Sequence, residues 1–485
     1  MVFRPVDCPA LGVPNVSARS GRLNLALSNT CGHRCTARNA GDSPEPTGTD
    51  PRRKDSHMTT AEPADNALDL AARTLLSPEA YDGSETVNNA ARLLRDQSPI
   101  HYVEHPDYNP VWVLTRHADV MEVEAHQKEW LQGGRPFLQT KHEIGRIERG
   151  EVPDVPVLID HDGDQHRAYR AITQKWFTTR NLNRLSERIT VLAKRAVDRM
   201  DEYGDTCDFA QDIAMHFPFE TIMSLLGLPE ADYPLLLDLS RRVLGSGPEE
   251  ERLNPGSDEY GALIGELFMY FNNITEERQA NPTEDLASVI ANAELPDGTE
   301  MPLIDKIGYY TIFATAGHET TASSMSGGIL ALAQHPEQLQ LLKDDPTPAN
   351  IRTATDEILR WVTPLKHFCR YAAGDYTLGD HQFHTGDRVY MSYASANRDE
   401  RTFDDPDTFD VTRKKASSHL AFGFGVHHCL GAELARIQIR ALLTELIPRL
   451  DSIAINGTPE HIKAISVSGL KHLPIHYNLY TNQGD

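Results

Sequence analysis

Residues 303–334, LIDKIGYYTIFATAGHETTASSMSGGILALAQ, form a long, largely apolar stretch with no proline until Pro336. Read as one helix at 1.5 Å per residue, it is about 48 Å long and must cross most of the molecule. Gly317 weakens its middle. Glu319 and Thr320 set a carboxylate and a hydroxyl beside that weak point. A threonine hydroxyl can bond the carbonyl four residues back, here Ala316, and so bend and locally open a helix.

The rest of the chain reads as mainly α with small β-sheets. Apolar spacing predicts helices at 164–178, 182–203, 211–227, 257–280, 348–362 and 430–449. Strands are expected at Val111–Leu114 and within Tyr371–Met391, with turns at Gly374, Gly379 and Gly386; Asn397–Pro406 reads as loop. There are no internal repeats or coiled-coil heptads. At 485 residues the chain allows two lobes or one large helical domain.

Residues 1–57 differ from the rest of the chain. They are rich in Pro, Ser, Asn and Gly and have no sustained apolar period, so they are expected to be a disordered extension. Met58 opens an ordinary helical start, which makes a mis-assigned start one explanation and an Arg-rich targeting peptide its rival. Cys31, His33 and Cys35 could suggest zinc, but no second ligand pair stands at finger spacing.

A balance of 47 Lys/Arg against 70 Asp/Glu, net −23, argues against nucleic acid or an anionic membrane as partner. No window offers about 20 uninterrupted apolar residues, so no membrane anchor is expected. Six scattered cysteines suit a reducing compartment, which points to a cytoplasmic protein.

One of those cysteines is set apart. In FGFGVHHCLGAELAR, residues 422–436, Gly423, Gly425 and Gly431 surround Cys429, and an amphipathic helix begins directly after it. Glycines let a backbone pass close to a flat cofactor. A cysteine at a helix N-terminus is favoured as the anion. A dinucleotide loop would need glycine where His428 stands. A nucleophilic cysteine finds no matching histidine and carboxylate, so metal ligation is the better reading.

The pattern Phe422, Gly425, Cys429, Gly431 resembles the haem loop of the cytochrome P-450 family, F-x-x-G-x-x-x-C-x-G. The run Ala316, Gly317, Glu319, Thr320, Thr321 is similar to the family's A-G-x-[DE]-T-T motif. Likeness extends over about residues 65–480 and is greatest to the soluble bacterial enzymes that hydroxylate monoterpenes such as terpineol. The resemblance implies a haem-thiolate monooxygenase domain over 58–485, with the long helix lying over haem b (iron protoporphyrin IX). It implies Cys429 as the iron ligand, Thr320 as the residue that steadies bound oxygen, and Glu319 as the gate for protons. His166, Arg170, Arg370 and His427 match residues that hold the haem propionates, while Phe422 and Gly425 belong to the haem-binding loop. Glu357 and Arg360 match the family's E-x-x-R motif, with Arg413 completing a structural triad.

By the same resemblance, a pocket of Phe313, Ala316, Leu365, Phe368 and Val467 beside Thr320 would take a small apolar substrate of monoterpene or alkylaromatic type. Oxygen and a ferredoxin with its reductase would complete the partners. Arg413, Lys414, Lys415, His428, Arg436 and Arg440 would form a basic docking patch. Steroid or fatty-acid hydroxylation, peroxide-driven turnover and a non-catalytic haem sensor remain as alternatives. His318-Glu319 begins like a zinc-protease motif, but Ala322 stands where the second histidine belongs.

Overall fold

The computed structural model describes residues 63–151, 155–244 and 258–480. The expectations for residues 1–57, including the Cys31–Cys35 cluster, lie outside the described residues.

The long apolar stretch is one helix, Leu303–Gln334, with Pro302 at its N-cap and His335 at its C-cap. Shorter helices pack around it at very small separations, which its glycines permit. A Cβ at Gly317 would lie 2.8 Å from Ile222 Cδ1, one at Gly327 2.6 Å from Val362 Cγ2, and one at Gly328 2.8 Å from Ile358 Cγ2. Gly317 is therefore also a packing residue, set against helix His216–Leu226. Gly327 and Gly328 do the same for helix Pro348–Val362.

The expected mainly-α architecture with small sheets is what the chain adopts. Helix Pro348–Val362 has the expected bounds, with Thr347 capping its start through Asn350 N–H. Helix 182–203 begins earlier, at Thr179. The 211–227 segment is split: a π-helical turn at Phe209–Ala214, capped by Asp208, precedes helix His216–Leu226. Helices Tyr233–Leu244 and Pro336–Asp344 add to those expected.

The main sheet has five strands in the order Ile100–Val103, Val111–Leu114, Arg388–Ser392, His367–Ala372 and Trp130–Leu131. Val111–Leu114 runs parallel to Arg388–Ser392, and the other pairs are antiparallel. Gly379 (φ 58°) turns the small hairpin Tyr376–Leu378/His381–Phe383, and Gly386 (φ 88°) leads into Arg388–Ser392. A three-stranded sheet near the C-terminus joins Thr206–Asp208, Pro474–Leu479 and Leu450–Ile455. The largest apolar core is helical and surrounds the central helix.

Candidate active site

The cysteine loop owes its shape to close backbone contacts. Gly423 and Gly425 have φ of 65° and 70°, and a Cβ at Gly425 would lie 2.3 Å from the Glu124 carbonyl oxygen. Only glycine meets both demands at position 425. Cys429 N–H donates to Phe422 O at 2.9 Å and closes the loop, and helix Ala432–Leu446 starts three residues after the sulfur. Cys429 is a free thiol. Burial of its sulfur raises the thiol above its ordinary pKa, outweighing the Gly431 backbone, Arg170 and Arg436, which act to lower it.

The loop is braced from two sides. Arg436 donates to Asp356 Oδ1 at 2.9 Å and lies 4.6 Å from the centre of the Phe422 ring. On the other side, Glu357 and Arg360 are fully buried and joined at 2.7 and 2.8 Å, and Arg413 Nε reaches Glu357 Oε2 at 3.0 Å. The two arginines donate to the carbonyls of Asn397, Asp405, Pro406 and Thr408, stitching segment 397–413 in place. Asn397 Oδ1 in turn accepts Leu420 N–H at 2.6 Å, just before the cysteine loop. The triad thus acts on Cys429 through Asn397, a link no sequence motif signals.

Four expected anion-binding residues gather near the loop. The His166 and His427 rings are 4.0 Å apart, and Arg170 Nη2 donates to His428 O at 2.7 Å. Arg370 is buried, donating to Gln132 Oε1 at 2.6 Å and Glu124 Oε1 at 3.3 Å. Glu124, which sequence reasoning misses, also accepts from Tyr393 OH at 2.7 Å; its burial raises the carboxyl pKa against the pull of Arg370. Burial, with Arg170 beside it, lowers His166 to about 4, and burial, with Arg370 nearby, lowers His427 to about 2. His427 Nδ1 is buried and unpartnered.

On the central helix, Thr320 Oγ1 donates to Ala316 O at 2.8 Å, as expected. Thr321 and Ser324 make the same back-bond to Gly317 and Thr320. Ala316 is exposed beside it. Glu319 borders a cavity of about 10 Å³, the size of a single water, together with Gln211 and Ser323. Leu365 and Val467 form an antiparallel bridge, and Phe368 meets Phe137 edge-on at 5.1 Å. Phe313, expected in the same pocket, is mostly buried in the helical core and stacks on Phe177.

The basic patch is smaller than expected. Arg413 is buried in the triad, Arg436 is paired with Asp356, Arg440 with Glu433, and burial lowers His428 below its ordinary pKa. Lys414 and Lys415 remain exposed. Among the described residues no cluster of three His, Cys, Asp or Glu could hold a metal ion.

Residues 351–477 match the family model described as Cytochrome P450. Cytochrome P450-terp from Pseudomonas sp is 37% identical over 420 residues, covering 84% of this chain and 97% of that protein. The chain belongs to the cytochrome P450 family. Steroid C26-monooxygenase from Mycolicibacterium smegmatis is 32% identical over 82% of this chain and 94% of that protein. The crystal structure of CYP108D1 from Novosphingobium aromaticivorans aligns with a TM-score of 0.77 at 33% identity, covering 85% of this chain and 98% of that one.

This P450 is accordingly a monooxygenase oxidoreductase with haem b as cofactor, using O₂ and a redox partner. Its monooxygenase relatives set aside the non-catalytic sensor. No described helix is long and apolar enough to cross a membrane. The residues present suit a haem: a free thiol in a glycine loop, two arginines, and a buried ring nitrogen left without a partner.

Proposed function

We propose that this P450 hydroxylates a small apolar substrate of the monoterpene or alkylaromatic type, in the cytoplasm, with electrons from a ferredoxin and its reductase. The observation that carries this reading is the 37% identity to Cytochrome P450-terp across 97% of that protein.

Cys429 would bind the iron, with Phe422 and Gly425 shaping the loop around it. Arg170 and Arg370 would neutralise the propionates, and His166 and His427 would donate hydrogen bonds to them. Thiolate-bound haem supplies O₂ activation and favours O–O cleavage. The protein's own part is to position, to deliver protons and to exclude water. Thr320, held at Ala316 O, would orient a proton donor, and Glu319 would pass protons inward from the solvent side. Leu365, Phe368, Val467 and Ala316 would give the substrate an apolar wall, with Phe313 supporting from behind. Glu357, Arg360 and Arg413 would keep the loop rigid.

A steroid or fatty-acid side chain is the second reading, favoured by the 32% identity to Steroid C26-monooxygenase. Difference spectra of the purified holoenzyme with terpenes, alkylbenzenes, steroids and fatty acids separate the two. Displacement of iron-bound water by terpineol-sized molecules at micromolar concentration is expected. A response to steroids alone would transfer the assignment to the second reading.

A further inference from the structure

A cavity of about 580 Å³, the size of a small-molecule site, lies apart from the cysteine loop. Its lining includes Leu330 of the central helix, Trp361, Val362, Lys366, Arg398 and His461. The central helix also contributes Ser323, Gly327 and Gln334. With Ala316 and Thr320, these residues are spaced in steps of three and four, so they continue one face of the helix. The cavity therefore lies further along the face that carries the oxygen-handling turn.

The wall between the two regions is thin. Leu365 and Val467 pair across an antiparallel bridge, and their chain neighbours Lys366 and Ser468 line the second cavity. Lys366 N–H donates to Ser466 O at 2.8 Å and Ser468 N–H to Pro364 O at 3.0 Å, which tie the two segments together.

Lys366 is unusual in its partners. Its Nζ donates to Val362 O at 2.8 Å, and no carboxylate pairs with it among the described residues. Arg398 is paired with Asp407 and lies 4.0 Å from the centre of the Trp361 ring. Asp82 and Glu85, at the edge, accept from Ser84 N–H and Asn88 Nδ2 respectively. His461 packs against Gly83 and is held below its usual pKa by burial and by Lys366, with Asp82 acting the other way. Lys463 acts on Asp82 from the same side. Desolvation, with Arg398 adding to it, brings Lys366 from 10.5 to about 7. A desolvated ammonium without a counter-ion is costly, and an anion would relieve that cost.

We propose that this cavity is a second small-molecule site for a compact amphipathic carboxylate, with its carboxylate on Lys366 and its apolar body against Trp361, Val362 and Leu330. The carboxylate takes the protonated lysine. Affinity is therefore greatest below about pH 7 and falls by about tenfold per unit above it, until the pKa of the complex is reached.

The test is calorimetry on the holoenzyme with cyclohexanecarboxylate and, as neutral control, cyclohexylmethanol, at pH 6.5 and 8.5. Expected is carboxylate binding that weakens with pH, leaves the haem spectrum unshifted, and drops at least tenfold in Lys366→Met. Lys366→Arg, which keeps the charge, should retain binding and lose the pH dependence. Three results would overturn the proposal: no binding at millimolar carboxylate, equal affinity in Lys366→Met, or pH dependence persisting in Lys366→Arg. Binding seen only with a haem spectral shift, in competition with substrate, would overturn it as well.

Discussion

Glu357 and Arg360 bind each other through both carboxylate oxygens, at 2.7 and 2.8 Å, with neither side chain reached by solvent. The Glu357 carboxylate also accepts from Arg413 Nε and Asp410 N–H, so one buried anion organises four donors. Glu357→Gln leaves two arginines short of charge inside the protein. Breaking a buried pair in this way costs about 3–5 kcal/mol. Haem content per mole of purified Glu357→Gln should fall steeply while the circular dichroism remains helical. Full haem content would show that the triad does not govern the loop.

Thr320→Ala removes the hydroxyl bound to Ala316 O and should leave the substrate-induced spectral shift intact. Product formed per NADH should fall by about tenfold or more, the scale of a lost proton-delivery group, with peroxide rising in proportion. Coupling measured by product and peroxide assay decides it. Unchanged coupling would remove Thr320 from oxygen chemistry.

His367 is fully buried, with Nδ1 directed to Ile465 O at 2.7 Å and Nε2 accepting Leu138 N–H at 2.9 Å. That arrangement needs the neutral ring, and burial lowers it from 6.5 to about 3. Below pH 6.5 the unfolded chain binds a proton that the native state refuses, so stability is lost as pH falls from 6.5 toward 3. His367→Phe orphans the Leu138 N–H and the Ile465 carbonyl, costing about 1–3 kcal/mol at pH 7. It should also flatten the acid limb of the unfolding midpoint against pH. An acid limb as steep as the wild type's would contradict this assignment.

Lys414 and Lys415 are the exposed remnant of the expected basic patch. Charge reversal at both should slow reduction by a ferredoxin several-fold at low ionic strength and reduce the dependence of that rate on salt. Stopped-flow reduction of the haem across a salt series measures both. A salt dependence like that of wild type would move the docking surface elsewhere.

Local signals in the sequence are faithful. Helix Leu303–Gln334 and helix Pro348–Val362 have their expected bounds because proline fixes one or both ends of each. Val111–Leu114 is legible as a strand from its branched and aromatic residues. The glycine loop, the Thr320 back-bond and the Glu357–Arg360 pair arise from spacing within one element. What escapes a linear reading is long-range. Glu124 meets Arg370 across 246 residues, and Asn397 meets Leu420 from a different turn. Burial, which no motif encodes, outweighs the attraction of a nearby carboxylate such as Asp162 and lowers the His166 ring. The stack of Phe313 on Phe177 joins residues 136 positions apart and is likewise beyond a linear reading.

Everything proposed for the site depends on Cys429 holding the haem iron. The reduced holoenzyme under carbon monoxide tests it directly, because thiolate-bound haem absorbs far to the red of histidine-bound haem. A Cys429 thiolate predicts the red-shifted band in the wild type and its replacement by the histidine-type band in Cys429→His. A wild-type spectrum of the histidine type, or a red-shifted band that survives Cys429→His, would contradict it.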